Sequence, residues 1–510
     1  MKRIEWALFG LFCLIVLSLQ VLLYRHAGSF WRDETSTIQV AGSPSFASMW
    51  ASLSWDSFPG LFVSLLRIWI LAGPGATDAG IRLFGSLIAL GGVASVLVSF
   101  REMTRSVPLV ALSLIAMNDT IFYFGSSIRA YGLAVLLIVP CFAAFWKVSQ
   151  SPTRLNILAA SVLALLTVHC SYQNCFLLFG IGIAGVGVCV LCRLWRRSLL
   201  ILAICFTAAL SMLVYLPAIR NYRVLALIPT MASDWSSIFR SLAQSLAGTS
   251  TSLLVVWAVV LSSALILLPY RHHEERRSQP SSPTPSLSLF SLIAIVVGAV
   301  SELIFFRANM MTPRIWQFAP LIALAAVVVE IGLGFSTSTA WRSAGKAALA
   351  CVIVGVSVIP AWHASQRRRT NLDLVSDALA REAGPDDLII VTSFWLSPGF
   401  NYLYRGKAEW NVLPMIPSDR GSRIAFGAHI KKILATDRVI EPTLEKIGKT
   451  LRTGHRVWYV VVPNNNAPWL TQFGQFLRDH ATQGRQISIP VEQPVSDLEN
   501  TSLFFVEGWR

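Results

Sequence analysis

Apolar residues along this chain come in long runs, and polar residues gather in the short stretches between them. A helix that crosses a bilayer takes about 20 apolar residues, within a range of about 17–25. Runs of that kind cover residues 6–24, 83–100, 106–124, 130–148, 155–171, 174–192, 198–219, 249–270, 286–306, 315–334 and 345–362, so the pattern predicts about 11 spans. The first run, Trp6 to Tyr24, is too long and too weakly followed by small residues for a cleaved signal peptide, and reads as a retained span. Leu155 to Cys192 carries no formal charge and is long enough for two helices, with His169-Cys170-Ser171-Tyr172-Gln173-Asn174 as the turn. Leu61 to Ala72 is short and interrupted by Arg67, which predicts a helix lying at the interface.

Beyond residue 363 the pattern changes to charged, helix-like stretches alternating with short apolar runs. Asp387 to Thr392, Arg456 to Val462, Gln486 to Val491 and Ser502 to Val506 read as strands. Leu372 to Ala383, Ile424 to Leu434, Pro442 to Thr453 and Leu470 to Asp479 read as helices. That alternation predicts a small α/β domain with a parallel or mixed sheet. The expected architecture is a multi-pass α-helical membrane domain over residues 1–363, with a first outer loop at 24–82 that holds interfacial helices, and an extracytoplasmic α/β domain over 364–510.

Composition agrees with the runs. Of the 510 residues 54% are hydrophobic and only 14% charged, against about 25% charged in an ordinary soluble domain. So few ionisable groups could hardly cover a soluble protein of this size. The net charge of +15 would suggest nucleic acid in a soluble chain. Here Lys2-Arg3, Arg101/Arg105, Lys147/Arg154, Arg193/Arg196/Arg197, Arg271/Arg276/Arg277 and Arg342/Lys346 fall in alternate loops, and Lys and Arg are retained on the cytoplasmic side. The N-terminus is therefore expected inside and the tail outside, with no nucleic-acid partner and Ser278 to Ser286 as a flexible inner linker. The 8 cysteines sit in or beside apolar runs, where they act as small hydrophobes. Cys189 and Cys192 have CxxC spacing, but no second pair accompanies them as a zinc site would need.

The expected outer side carries polar residues that the spans do not explain. Phe30-Trp31-Arg32-Asp33-Glu34-Thr35 places adjacent carboxylates after the first span, and reads either as a helix first turn or as chemistry. Trp55-Asp56-Ser57-Phe58-Pro59-Gly60 is a turn that brings one more acid. Arg82, Arg129 (just before Tyr131) and Arg314 stand at outer helix heads, where a guanidinium either snorkels or grips a phosphate in bidentate fashion. His169, with Tyr172 and Asn174, stands at the outer end of the fifth span; a single His there is more often a packing residue than a ligand. The tail shows no phosphate loop and no triad, and reads as a structural or acceptor-binding cap.

The order of these motifs resembles the GT-C glycosyltransferases. An aromatic-x-Asp-Glu follows the first span, Asp56-x-x-Pro59 leads into Leu65-Leu66-Arg67-x-Trp69, and Ile81-Arg82-Leu83-Phe84-Gly85-Ser86 opens the second span. Arg129-Ala130-Tyr131-Gly132-Leu133, Thr167-Val168-His169 and Pro313-Arg314-Ile315 follow in the same order. The pattern is most similar to bacterial aminoarabinose and lipopolysaccharide-core sugar transferases and to protein O-mannosyltransferases. Phe58-Pro59-Gly60 stands where relatives often have His-Pro-Pro, and Ile315 where an aromatic usually follows the arginine.

The resemblance implies a transferase of the bacterial inner membrane. It would take a sugar from a polyprenyl-phosphate donor on the outer face and pass it, with inversion, to a lipid, glycan or protein acceptor among the membrane lipids. Asp33 would be the base. Glu34 would orient the acceptor or, with Asp56, hold a divalent cation; no other cofactor is expected, and His169 is a further acceptor or metal candidate. Arg82, Arg129, Tyr131 and Arg314 would bind the donor phosphate. The rival expectations are a polytopic lipid or glycan transporter or flippase and a scaffold acting through its tail. Transporters usually carry internal repeats and midplane ionisable residues, and the sequence shows no half-to-half similarity, with its charges gathered near the ends of the runs.

Overall fold

The protein is described here by a computed structural model covering residues 2–225, 234–248, 250–278, 284–334, 340–415, 438–462 and 467–510. The helix expected at Ile424 to Leu434 and most of the expected linker at Ser278 to Ser286 lie outside the described residues. The chain forms two compact units: Met1–Tyr24, Ser57–Pro217 and Pro229–Ser365 make the first, and Arg25–Asp56, Ala218–Ile228 and Gln366–Arg510 the second.

The first unit is a helical bundle. Helix α1 (Lys2–His26) begins it, while α2 (Arg32–Ala41) and α3 (Phe46–Ser52) belong to the second unit. Then come α4 (Leu61–Leu71), α5 (Asp78–Thr104), α6 (Leu109–Ala116), α7 (Asp119–Gly125), α8 (Tyr131–Gln150), α9 (Arg154–Cys170), α10 (Gln173–Leu191) and α11 (Trp195–Ser211). Helix α12 (Leu216–Leu225) belongs mostly to the second unit, and α13 (Trp235–Ala247), α14 (Thr251–Ser278), α15 (Leu287–Ala308), α16 (Ala319–Gly332) and α17 (Ala340–Ser365) complete the first.

Among the described residues, 9 helices are long and apolar enough to cross a membrane. Two of the expected spans do not form long helices. Helix α9 has 17 residues, and residues 106–124 break into α6 and α7. The break has a local cause. Asn118 caps α7 by accepting from the Ile121 N–H at 2.9 Å, and its own amide donates to the carbonyls of Ser245 and Leu246 at 3.0 and 2.9 Å. A side chain that offers the backbone an alternative partner ends one helix and starts another. Irregular backbone within a bundle survives only where protein surrounds it, and α6 is buried along its whole length.

The bundle has a centre and a rim. The apolar windows of Tyr131–Gln150 and Ile315–Gly332 are 83% and 89% buried, against 22% for Trp195–Asn221, whose Leu199, Phe206 and Leu210 face outward. An outward apolar face of that extent fits a lipid solvent. Helices α10 and α15 approach most closely where a Cβ on Gly180 would stand only 2.5 Å from the Gly298 nitrogen, the close backbone approach that small residues permit.

Charges do occur inside the bundle, contrary to the expectation that they gather near the span ends. Glu302 on α15 and Glu330 on α16 are fully buried. Glu330 accepts from the Val110 and Ala111 N–H groups at 2.8 and 3.0 Å, so a carboxylate from α16 caps the first turn of α6. Lys346 on α17 is 1% exposed, donates to the Val107 carbonyl at 3.0 Å and pairs with Glu5 of α1 at 3.0 Å. These bonds tie α1, α6, α16 and α17 without leaving the ammonium alone.

In the second unit α18 (Leu372–Glu382), β1 (Leu388–Val391), α19 (Ser397–Leu403), β2 (Glu409–Val412), α20 (Glu441–Arg452), β3 (Val457–Val461), α21 (Pro468–His480), β4 (Ala481–Ile487) and β5 (Ser502–Trp509) build a mixed sheet in the order β2-β1-β3-β5-β4. Strand β1 pairs parallel with β2 and β3, and β5 pairs antiparallel with β3 and β4. The strand expected at Gln486 to Val491 instead ends at Ile487, because Pro490 has no N–H for the ladder. Its earlier part, Ala481 onward, is polar and mostly exposed, so no apolar alternation marks it. Asp387 fastens the start of β1. Its carboxylate accepts from the Trp458 ring N–H and the Arg456 and Gly384 backbone N–H groups, each at 2.9 Å. Burial pushes this carboxyl up, but those hydrogen bonds and the Arg456 charge outweigh it and hold it below its ordinary value.

Replacing Lys346 by Met leaves Glu5 buried beside no cation, a class of change that costs about 3–5 kcal/mol. The expected result is a large loss of thermal stability in detergent for K346M and a much smaller one for the E5Q/K346M double variant, read as a double-mutant cycle.

Candidate functional site

Three carboxylates surround the head of α2, and their burial separates them. Glu34 is 1% exposed; its Oε2 accepts from the Trp31 N–H at 3.2 Å and its Oε1 pairs with the Arg369 guanidinium at 2.8 Å. Glu499 is fully buried and accepts from the Arg32 N–H at 2.9 Å. Two of the first-turn N–H groups that a helix leaves unpaired are thereby satisfied by acids. Asp33, between them in sequence, keeps 29% of its side chain exposed and lies 3.6 Å from the Arg32 Nε. It is the accessible acid of the three.

Glu34 is therefore a buried structural acid with both oxygens engaged, which leaves it poorly suited to the acceptor-orienting or cation-binding part expected of it. Asp56 is buried at the end of the turn Leu53–Trp55, its N–H bonded to the Leu53 carbonyl at 3.1 Å. Among the described residues no group of three His, Cys, Asp or Glu could hold a metal ion.

The other expected residues lie in the bundle. Arg129 is 3% exposed, donates to the Ser57 hydroxyl at 2.8 Å and stands 4.7 Å above the Phe58 ring. Phe58 in turn meets the Tyr131 ring edge-on at 5.2 Å, and Tyr131 packs 6.0 Å from Trp316. Arg129, Tyr131 and the aromatic after Arg314 are thus one cluster. Ile315 breaks the family pattern, but Trp316 supplies the ring one position later. Arg314 itself is exposed, with its N–H bonded to Gln317 at 2.7 Å, and Arg82 is half-buried near the head of α5.

His169 is held on both sides, by the Tyr215 hydroxyl at Nδ1 and the Ser211 hydroxyl at Nε2, each at 3.0 Å. Tyr215 also accepts from the Gly60 N–H at 3.1 Å. The histidine is a satisfied packing residue that, through Tyr215, fixes the turn before α4; both ring nitrogens are occupied, which argues against a metal-ligand part.

Arg369, Glu499 and Tyr215 belong to no motif singled out from the residues alone. Arg369 and Glu499 lie 335 residues from Glu34 and 467 from Arg32, respectively, in stretches with no motif. Their signal is the long-range pairing itself.

No family model matches the chain and no curated protein matches it. Among solved structures, it is similar to ArnT from Cupriavidus metallidurans in the apo state, with 13% identity and a TM-score of 0.55 over 98% of both chains. It is also similar to the same protein bound to undecaprenyl phosphate, with 13% identity and a TM-score of 0.52 over 97% of this chain and 98% of that one. An oligosaccharyltransferase from Archaeoglobus fulgidus, in complex with Zn and sulfate, matches at 10% identity and a TM-score of 0.49 over 94% and 74%. The chain has an ArnT-like fold: a multi-pass helical bundle with a C-terminal α/β domain.

Burial pushes the Glu499 carboxyl up to about 8, with the negative charges of Asp33 and Glu34 adding to the rise and the Arg32 charge and N–H opposing it. The folded state then holds a proton that the unfolded chain releases above its ordinary carboxylate value. This contribution to stability is full below that value and is lost as pH rises towards 8. In E499Q the slope disappears, so between pH 5 and 8 its thermal stability in detergent should gain on the wild type by about 1.4 kcal/mol per pH unit.

Proposed function

We propose that the chain is an integral-membrane glycosyltransferase that moves a sugar from a polyprenyl-phosphate donor to an acceptor at the outer face of a bacterial inner membrane. The observation that carries the reading is the head of α2, where two acids are buried and bonded to the backbone and Asp33 alone remains accessible. The ArnT-like fold supports it, since one of the matched structures is bound to undecaprenyl phosphate.

In this reading the acceptor hydroxyl or amine attacks the anomeric carbon while the bond from that carbon to the lipid phosphate breaks, with inversion. Asp33 takes the acceptor's proton, a contribution of about 10²–10⁴-fold for a positioned carboxylate. The bonding pair leaves with the phosphate, whose growing charge falls to Arg129, Arg314 and Arg82. A guanidinium already held in place, as Arg129 is by Ser57 and Phe58, stabilises that charge without having to reorganise. Glu34 serves as the brace of the Asp33 turn. The N-terminus is cytoplasmic and the α/β unit extracytoplasmic, as the alternate basic loops indicate. The donor sugar belongs to the pentose or hexose class, and the acceptor is a lipid, glycan or protein.

A transporter or flippase is the second reading, and one observation favours it: Glu302 is a carboxyl inside an apolar helix, fully buried, with no hydrogen-bond partner among the described residues. Proteoliposomes separate the two, because net translocation without a covalent product belongs to a flippase.

The first test compares lipid and glycan fractions of a deletion strain by mass spectrometry; one missing sugar is expected. Asp33→Asn should then lower transfer of that sugar by about 10²-fold or more with insertion and expression unchanged. Transfer at the wild-type rate in D33N would show that another group is the base.

A further inference from the structure

The chain that surrounds the head of α2 comes from three distant stretches of the second unit. Residues 27–34 run beside 368–371: Arg369 donates its N–H to the Ala27 carbonyl at 2.8 Å, and Gly28 bridges Thr370. Residues 494–501 close the other side. The Arg368 N–H reaches the Pro494 carbonyl at 2.8 Å, the Ser496 N–H reaches the Arg368 carbonyl at 2.9 Å, and Asn371 bonds Thr501 in both directions at 2.7 and 2.8 Å. Glu499 sits in this last stretch, so its carboxyl position is set by backbone bonds before it reaches Arg32.

Its reach is specific. One oxygen takes the Arg32 N–H at 2.9 Å, while the other has no hydrogen-bond partner among the described residues. Behind it lies Gly399 of α19, where a Cβ would stand 3.6 Å from both that free oxygen and the Arg32 Cα. Helix α19 also holds α2 from the side, since Gln39 donates to the Pro398 carbonyl at 3.2 Å and Phe30 meets Tyr402 edge-on. Glu499 thus lies beside both the head of α2 and Gly399 of α19. An apolar side chain at this position would leave the Arg32 N–H without its partner.

We infer that Glu499 is a positioning residue for Asp33: its carboxyl in the tail holds the Arg32 N–H and so fixes the backbone from which the proposed base projects. This rests on the transferase reading for its catalytic half only. Asp33 follows Arg32 directly, so any turn of the Arg32 peptide plane swings the Asp33 side chain, and a misplacement of about 1 Å can cost about 10²-fold in rate. The tail therefore takes part in the chemistry through geometry and touches no reacting atom.

The test uses the full chain in detergent, with E499Q and E499A compared to the wild type. Gln keeps an acceptor oxygen for the Arg32 N–H and Ala removes it. Hydrogen exchange of the backbone amides at 31–35 reads the positioning, and transfer from an undecaprenyl-phosphate-linked form of the sugar missing in the deletion strain reads the chemistry. We expect E499A to speed exchange of the Arg32 amide at least tenfold and to lower kcat at least tenfold with the donor KM little changed, and E499Q to hold both near wild type. Unchanged exchange in E499A overturns the inference whatever the activity does. Faster exchange with full kcat overturns it as well, by showing that the base does not depend on this bond. Should the wild-type chain transfer no sugar, the transferase reading fails by itself, and the exchange data still decide whether Glu499 holds the turn.

Discussion

The second unit depends on a carboxylate and a guanidinium brought together out of water. Glu34 and Arg369 are 1% and 5% exposed and meet at 2.8 Å, and neither would be tolerated there alone. Because Glu34 also accepts from the Trp31 N–H, the pair reaches the first turn of α2 and sets where that helix begins. The segment after α1 is thereby made part of the tail's unit although hundreds of residues separate them. The setting of Asp33 follows from this: an acid that is held in place but left accessible sits between neighbours that are buried and bonded to the backbone.

The bundle solves the same problem with different parts. Water is scarce inside it, so backbone groups freed by the break between α6 and α7 must find protein partners, and they do. At the break Asn118 closes the gap with bonds in both directions, and at the start of α6 Glu330 takes two N–H groups while Lys346 takes the Val107 carbonyl. The cost of placing charges at such depth is offset because each one also replaces a missing backbone bond. Glu302 stands apart from this scheme, with no backbone group bonded to it among the described residues.

The large features were legible from the residues because each is set by local physics. Long apolar runs can only be bilayer spans or a core, and the change of pattern after residue 363 announced an α/β region whose helices, expected from Leu372, Pro442 and Leu470, begin at Leu372, Glu441 and Pro468. Residues 106–124 misled because one asparagine outweighed an otherwise continuous run. Strand β2 and helix α19 were missed because they are short, four and seven residues, and take their stability from neighbours. The acids at 33 and 34 were found, but adjacency in sequence could not tell them apart; their difference comes from Arg369 and Glu499, which no spacing rule connects to them. Likewise His169 looks the same in sequence whether it is open or, as here, held by Tyr215 and Ser211.

The three-stretch construction of the second unit also orders events during synthesis. At about 5–20 residues per second, the 335 residues between Glu34 and Arg369 take roughly 20–70 s to emerge, and Glu499 comes later still. Through that interval the segment bearing Asp33 exists with its ion partner not yet made. A ribosome-bound or prematurely terminated product would therefore have the membrane helices but an unbraced α2. The accessible acid acquires its setting only after Arg369 and Glu499 have been made, which couples the readiness of the site to synthesis of the tail.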